Sequence, residues 1–115
     1  MGIVNTANNK YQKCIDACNR CTQACIECMN LCLGESDVSA RKNCIATLNE
    51  CACICKEASS FMSMDAKHAA DLCKLCETIC NECAKECGMF TDDHCKKCAA
   101  ECQACASECK TMAGM

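Results

Sequence analysis

Sulfur-bearing positions recur along this chain in alternating steps of three and four. Near the N-terminus they are Cys14, Cys18, Cys21, Cys25, Cys28 and Cys32. The same rhythm runs through Cys73, Cys76, Cys80, Cys83 and Cys87, and again through Cys95, Cys98, Cys102, Cys105 and Cys109. That spacing marks one face of an α-helix, and the Lys, Glu, Asn and Gln between them mark the opposite, solvated face. A fourth segment reads Cys44, Leu48, Cys51, Cys55, with Leu48 where a cysteine would otherwise stand. The pattern predicts four helices over about residues 6–33, 37–58, 65–87 and 92–112, in a single domain spanning 1–115. Ser59–Met64 reads as the one longer connection.

Punctuation along the chain supports these boundaries. There is no proline, so nothing breaks a helix from inside. Gly34 and Gly88 each follow a cysteine stripe, which fits a left-handed residue ending a helix. Ser36 or Asp37 is expected to cap the second helix, Ser63 or Asp65 the third, and Thr91 or Asp92 the fourth. Short loops force neighbouring helices to run antiparallel. The expected fold is therefore all-α, an up-down-up-down four-helix bundle. The first stripe alone covers roughly 27 Å of helix axis. In this arrangement nineteen cysteines face inward, leaving only Cys53, which lies about 200° around its helix from Cys51 and Cys55. Cys53 is expected at the surface or at a subunit contact.

Composition changes what such a core can be. The chain has 20 Cys and 16 Ala, but Leu, Ile, Val and Phe together number only 15. That is sparse for an ordinary core. Yet the net charge of −3 gives none of the self-repulsion typical of disorder. Thiols must fill the interior, as free Cys packs like a small hydrophobe. The weak acidity and near absence of aromatic residues argue against nucleic acid as a partner. No run of 18 apolar residues exists, so no membrane span is expected. The N-terminal ten residues have no basic start, apolar stretch or cleavage site, so the cytosol is the expected compartment, where thiols stay reduced.

Three chemistries suit so many thiols. Disulfide scaffolds are loop-rich, whereas this chain reads as continuous helix, and a bridge between positions i and i+4 of one helix is strained. Zinc can use any two of the six Cys-x-x-Cys pairs, but these run together without the loops of zinc ribbons. A Cys-x-x-Cys-x-x-Cys ferredoxin run is absent. Cu(I) is soft and accepts two or three thiolates without needing a tetrahedral cage. Thiolates bridging successive ions would hold about one copper per core cysteine, on the order of 19 per chain. Each Cu⁺ offsets one thiolate, whereas Zn²⁺ in Cys₄ sites would leave two negative charges per metal in a dry interior. Zinc binding and thiol-redox buffering stand as the alternatives. No Ser/His/Asp or Cys/His catalytic set is readable, so no enzymatic activity is expected.

The chain resembles the cytosolic copper storage proteins. The resemblance rests on Cys14-x₃-Cys18-x₂-Cys21-x₃-Cys25-x₂-Cys28-x₃-Cys32, on Cys44, on Glu50-Cys51-x₃-Cys55 and on the two C-terminal arrays. It covers nearly the whole chain. It implies non-catalytic Cu(I) storage and a homotetramer of bundles that fill independently. Nothing in the sequence points to the protein that delivers or receives the copper. Cys53 departs from the family pattern, and no ligand role is carried onto it.

The up-down topology gathers Cys32, Cys44, Cys87 and Cys95 at one end, with Met29, Met89, Phe90, Asp92, Asp93 and His94 near them. Cys14, Cys55, Cys73 and Cys109 fall at the other, with Met62, Met64, His68 and Met112. Thioether and imidazole both suit Cu(I), and His94, directly before Cys95, joins the nineteen inward cysteines as a candidate ligand. The plainer roles are gap-filling for Met and a solvated first turn for His94. Tyr11 reads as packing.

Overall fold

The computed structural model describes residues 2–5, 7 and 9–114. Met1, Thr6, Asn8 and Met115 lie outside the described residues. Four helices follow in order: α1 Gln12–Leu33, α2 Lys42–Ser63, α3 Ala69–Cys87 and α4 Asp93–Ala113, with a 3-10 turn at Val38–Arg41 before α2. Each helix packs against the one before and after it, and α4 closes the ring on α1. The result is an antiparallel bundle measuring 48 × 24 × 17 Å. No described helix is long and apolar enough to cross a membrane.

The bundle forms because each helix presents one stripe of small, weakly polar side chains. Nineteen cysteines are buried, none more than 2% exposed, and Cys53 is exposed. Conventional hydrophobes join them, namely Tyr11, Ile15, Met62, Ile79 and Met112, with Ala52, Ala58, Ala69, Ala84 and Ala106, while Leu48 is fully buried within the α2 stripe between Cys44 and Cys51.

Several boundaries differ from expectation, each for a physical reason. Helix α1 begins at Gln12, later than residue 6. Upstream of Tyr11 the hydrophobes Ile3 and Val4 are fully exposed, so no buried face extends the helix there. Thr6, the predicted first residue, lies outside the described residues. Helix α2 starts later than residue 37 but runs on to Ser63, so the predicted Ser59–Met64 connection is largely helical. Its buried stripe continues past Cys55 through Ala58 and Met62, again in steps of three and four. Asp65 then takes a left-handed conformation (φ 51°), which lets the Ala66 N–H reach back to the Phe61 carbonyl at 2.9 Å. Helix α3 consequently starts at Ala69 with His68 at its cap, and neither Ser63 nor Asp65 caps it.

The glycines do not act as left-handed caps: Gly34 and Gly88 have φ of −90° and −65°. Their N–H groups satisfy terminal carbonyls, Gly34 to Leu31 at 3.1 Å and Gly88 to Ala84 at 2.9 Å. Asp37 and Asp92 sit at the cap positions of the 3-10 turn and α4, but neither caps with its side chain. Both carboxylates are instead turned onto Arg41.

Candidate metal centre

Every layer of the bundle brings sulfur against sulfur. Along the α1–α4 seam Cys14 and Cys109 lie 3.6 Å apart, Cys18 and Cys105 3.7 Å, Cys21 and Cys102 3.8 Å, and Cys28 and Cys95 3.8 Å. Along the α2–α3 seam Cys44 meets Cys87 at 3.8 Å, Cys51 meets Cys80 at 3.7 Å and Cys55 meets Cys76 at 3.6 Å. The seams join across the middle, Cys21 with Cys51 at 3.9 Å and Cys55 with Cys105 at 3.8 Å. Cys73 and Cys83 are buried in the same core but enter none of these short pairs. A disulfide needs about 2.05 Å between sulfurs. Donors around one metal at about 2.3 Å in trigonal geometry stand roughly 4.0 Å apart. The observed spacing is that of packed thiols, too long for disulfides and close enough for neighbouring sulfurs to share one metal.

The donors fall into groups whose ligand atoms all lie within 4.8 Å of one another. One comprises Cys18, Cys76, Cys105 and Cys109; a second, Cys21, Cys55, Cys80 and Cys105; a third, Cys21, Cys25, Cys51 and Cys102. Towards the α4 N-terminus lie the trio Cys28, Cys87 and Cys98 and the mixed group Cys28, Cys32, Cys95 and His94. Cys21, Cys28 and Cys105 each belong to at least two groups. Such sharing suits an ion that accepts bridging thiolates better than isolated four-coordinate cages.

The profile of the copper storage protein family matches residues 7–114. The chain belongs to the copper storage protein family.

Relatives of this copper storage protein agree in sequence and in shape. An uncharacterised cysteine-rich protein of Bacillus subtilis, YhjQ, is 41% identical over 83 residues, which cover 72% of this chain and 77% of that one. The Cu(I)-bound copper storage protein BsCsp3 superposes with a TM-score of 0.86 at 41% identity, covering 90% of this chain and 97% of its own. A cytosolic copper storage protein from Streptomyces lividans, solved with five coppers, gives 0.87 at 30% identity, covering 90% and 92%.

In this family member the two bundle ends are built differently. At the α4 N-terminus, His94 Nδ1 is 3.4 Å from Cys28 Sγ and 3.6 Å from Cys95 Sγ, while Nε2 is 3.1 Å from a Glu35 carboxylate oxygen. Beside it lies Arg41, which the sequence pattern did not single out. Its guanidinium is only 4% exposed. It donates to Asp37 at 2.7 Å and is ion-paired with Asp92 at 2.5 Å, and its Nη1 stands 3.6 Å from Cys32 Sγ and 3.5 Å from Cys95 Sγ. The two carboxylates, Asp92 foremost, hold Arg41 firmly charged, and Arg41 in turn draws the Asp92 carboxyl below its usual range. Burial, and next the charge of Cys32, push the Cys95 thiol up to about 12. One signal in the sequence could have revealed Arg41: Asp37 precedes it by four residues, an ion-pair spacing on a helical turn.

The opposite end is closed by apolar side chains, with Met62, Ala69, Tyr11 and Met112 all buried. Cys55 does not lie at this end as expected. It sits deeper, against Cys76, Cys80 and Cys105, because α2 runs two turns beyond it. Met64 and Met89 are exposed and Met29 is half-buried. His68 is exposed and paired with Asp71 at 2.9 Å, away from the sulfur core.

Proposed function

We propose that this chain stores Cu(I) without catalysing a reaction, holding the ions through the nineteen inward thiols, with His94 as a further donor at one end. The observation that carries the reading is the shared membership of Cys21, Cys28 and Cys105 in overlapping donor groups. Copper bound in one group would share a sulfur with its neighbour, three groups being linked through Cys21 and Cys105 and two through Cys28, and the two sets meet where Cys25 and Cys98 lie 4.0 Å apart, so the core fills as contiguous clusters of about one ion per thiol. Each thiol gives up its proton as it takes Cu⁺, which keeps the filled interior near neutral. All four helices contribute donors, so the chain works as one domain. BsCsp3, solved with Cu(I), supports the identity of the ion.

By the same reasoning the protein limits free copper and keeps a reserve in the cytosol, the compartment of the similar Streptomyces lividans protein. A homotetramer of such bundles is the expected assembly, and gel filtration with light scattering tests it. The storage reading is tested by anaerobic titration of the reduced protein with Cu(I) against a competing chelator, counting thiols on the same sample. Tight uptake near one ion per inward cysteine is the expected result. Saturation after four or five ions, with zinc preferred, would overturn it.

A further inference from the structure

Thiol pairs climb the α2–α3 seam like rungs. Cys44 meets Cys87 at 3.8 Å, Cys51 meets Cys80 at 3.7 Å and Cys55 meets Cys76 at 3.6 Å. One rung lacks its second sulfur. Four residues on from Cys44 stands Leu48, and four back from Cys87 stands Cys83; three further steps each way reach Cys51 and Cys80. The antiparallel register therefore sets Leu48 opposite Cys83. Leu48 is fully buried, and Cys83, just as buried, makes no thiol–thiol hydrogen bond among the described residues. The α1–α4 seam has no such gap: Cys21 meets Cys102 at 3.8 Å, Cys25 meets Cys98 at 4.0 Å and Cys28 meets Cys95 at 3.8 Å.

The donor groups divide at the same level. Of those described above, two lie on the α4 N-terminal side and hold Cys28, Cys32, Cys87, Cys95, Cys98 and His94, while three lie beyond and are joined through Cys21 and Cys105. Among the described residues, Cys25–Cys98 is the one thiol–thiol hydrogen bond between these two sets. We propose that Leu48 is a spacer that divides the copper store into an outer and an inner pool and leaves its capacity one donor short. A leucine side chain offers a soft metal no donor atom. It interrupts the α2–α3 seam, so sulfur sharing between the pools runs through the α1–α4 seam, at Cys25 and Cys98. Cys83 is left without a bridging partner across its own seam. A thiol at position 48 would close the rung, releasing its proton to solvent as it forms a further Cu–S bond.

This rests on the storage reading, so wild type and variants are compared side by side. Anaerobic titration of the reduced proteins with Cu(I) against a competing chelator counts the ions, and removal by a chromophoric chelator is followed in time. The wild type is expected to release copper in two phases. L48C should take up about one further ion per chain and release its copper with the phases merged. L48A also loses the leucine bulk but gains no donor, and it should keep the wild-type capacity and both phases. Alkylation of partly loaded protein, read by peptide mass spectrometry, locates the pools. Cys87 and Cys80, on either side of the Leu48 level, should become protected at different points of the wild-type titration and together in L48C.

If L48C or L48A loses its helical circular dichroism, L48M supplies a soft thioether at nearly the volume of leucine, with L48I as its control. Unchanged capacity or unchanged phases in the donor variant would overturn the proposal, as would a single phase in the wild type or a control that matches the donor variant. A wild type that saturates after four or five ions overturns the storage reading and the partition with it. A wild type that fills while L48C gains nothing overturns the partition alone.

Discussion

The two ends of this bundle solve one problem in opposite ways. Each must seal a column of thiols from water. One does it with fat: Met62, Tyr11, Ala69 and Met112 cover the sulfur with aliphatic and aromatic surface. The other does it with charge: Arg41, Asp37, Asp92, His94 and Glu35 form a network whose members satisfy one another. The apolar seal needs only volume and tolerates any hydrophobe of similar shape. The polar seal needs each partner, because removing one strands a buried group. A chain with so few large hydrophobes has little to spend on two apolar plugs. The difference also assigns tasks: a plug of packed side chains opens only by local unfolding, whereas an ion network can rearrange.

Three measurements sharpen this contrast. The largest effect is expected at the apolar end. Met62 is fully buried, so Met62→Ala should lower metal-free stability by about 2–5 kcal/mol, read from denaturant unfolding, with copper capacity retained. A loss below about 0.5 kcal/mol would mean that this end is not a packed seal. Next comes alkali. The Cys95 thiol is raised from 9.0 to about 12 in the folded protein, so folding favours its protonated form. That contribution is fully present below pH 9 and is lost as the pH climbs towards about 12. Denaturant midpoints of the reduced, metal-free protein should fall across that window, and a Cys95→Ser variant should fall less. The smallest effect is expected from His94→Ala. It removes one donor of a group that keeps three thiols, so capacity should drop by about one ion per chain with the fold intact. A loss of many ions would mean that His94 organises the whole cluster.

Much of this architecture was readable from residue spacing alone. A three-four rhythm in cysteine has the same geometric meaning as in leucine, so α1, α3 and α4 and the inward register followed directly. The reading failed where the stripe changed residue type. Ala58 and Met62 continue the inner face of α2, but they carry no sulfur, and the helix was expected to stop at residue 58. Asp92 looked like a helix cap because Asp is a good one. Its carboxylate serves Arg41 instead, and Arg41 is 51 positions away in sequence, beyond any local pattern. The polar end was therefore half legible: His94 stood out beside Cys95, while the ion network around it is a product of two loops meeting in space.

The shared sulfurs have a consequence for how damage would spread. Cys21, Cys28 and Cys105 are junctions, each belonging to at least two donor groups. Cys14 and Cys44 sit near the two extremities, each paired once across a seam. Losing an extremity shortens the array and leaves the remainder connected. Losing a junction removes a shared donor from two groups at once. The core is therefore better described by its connectivity than by its number of sites, and equal substitutions at different depths are not equivalent.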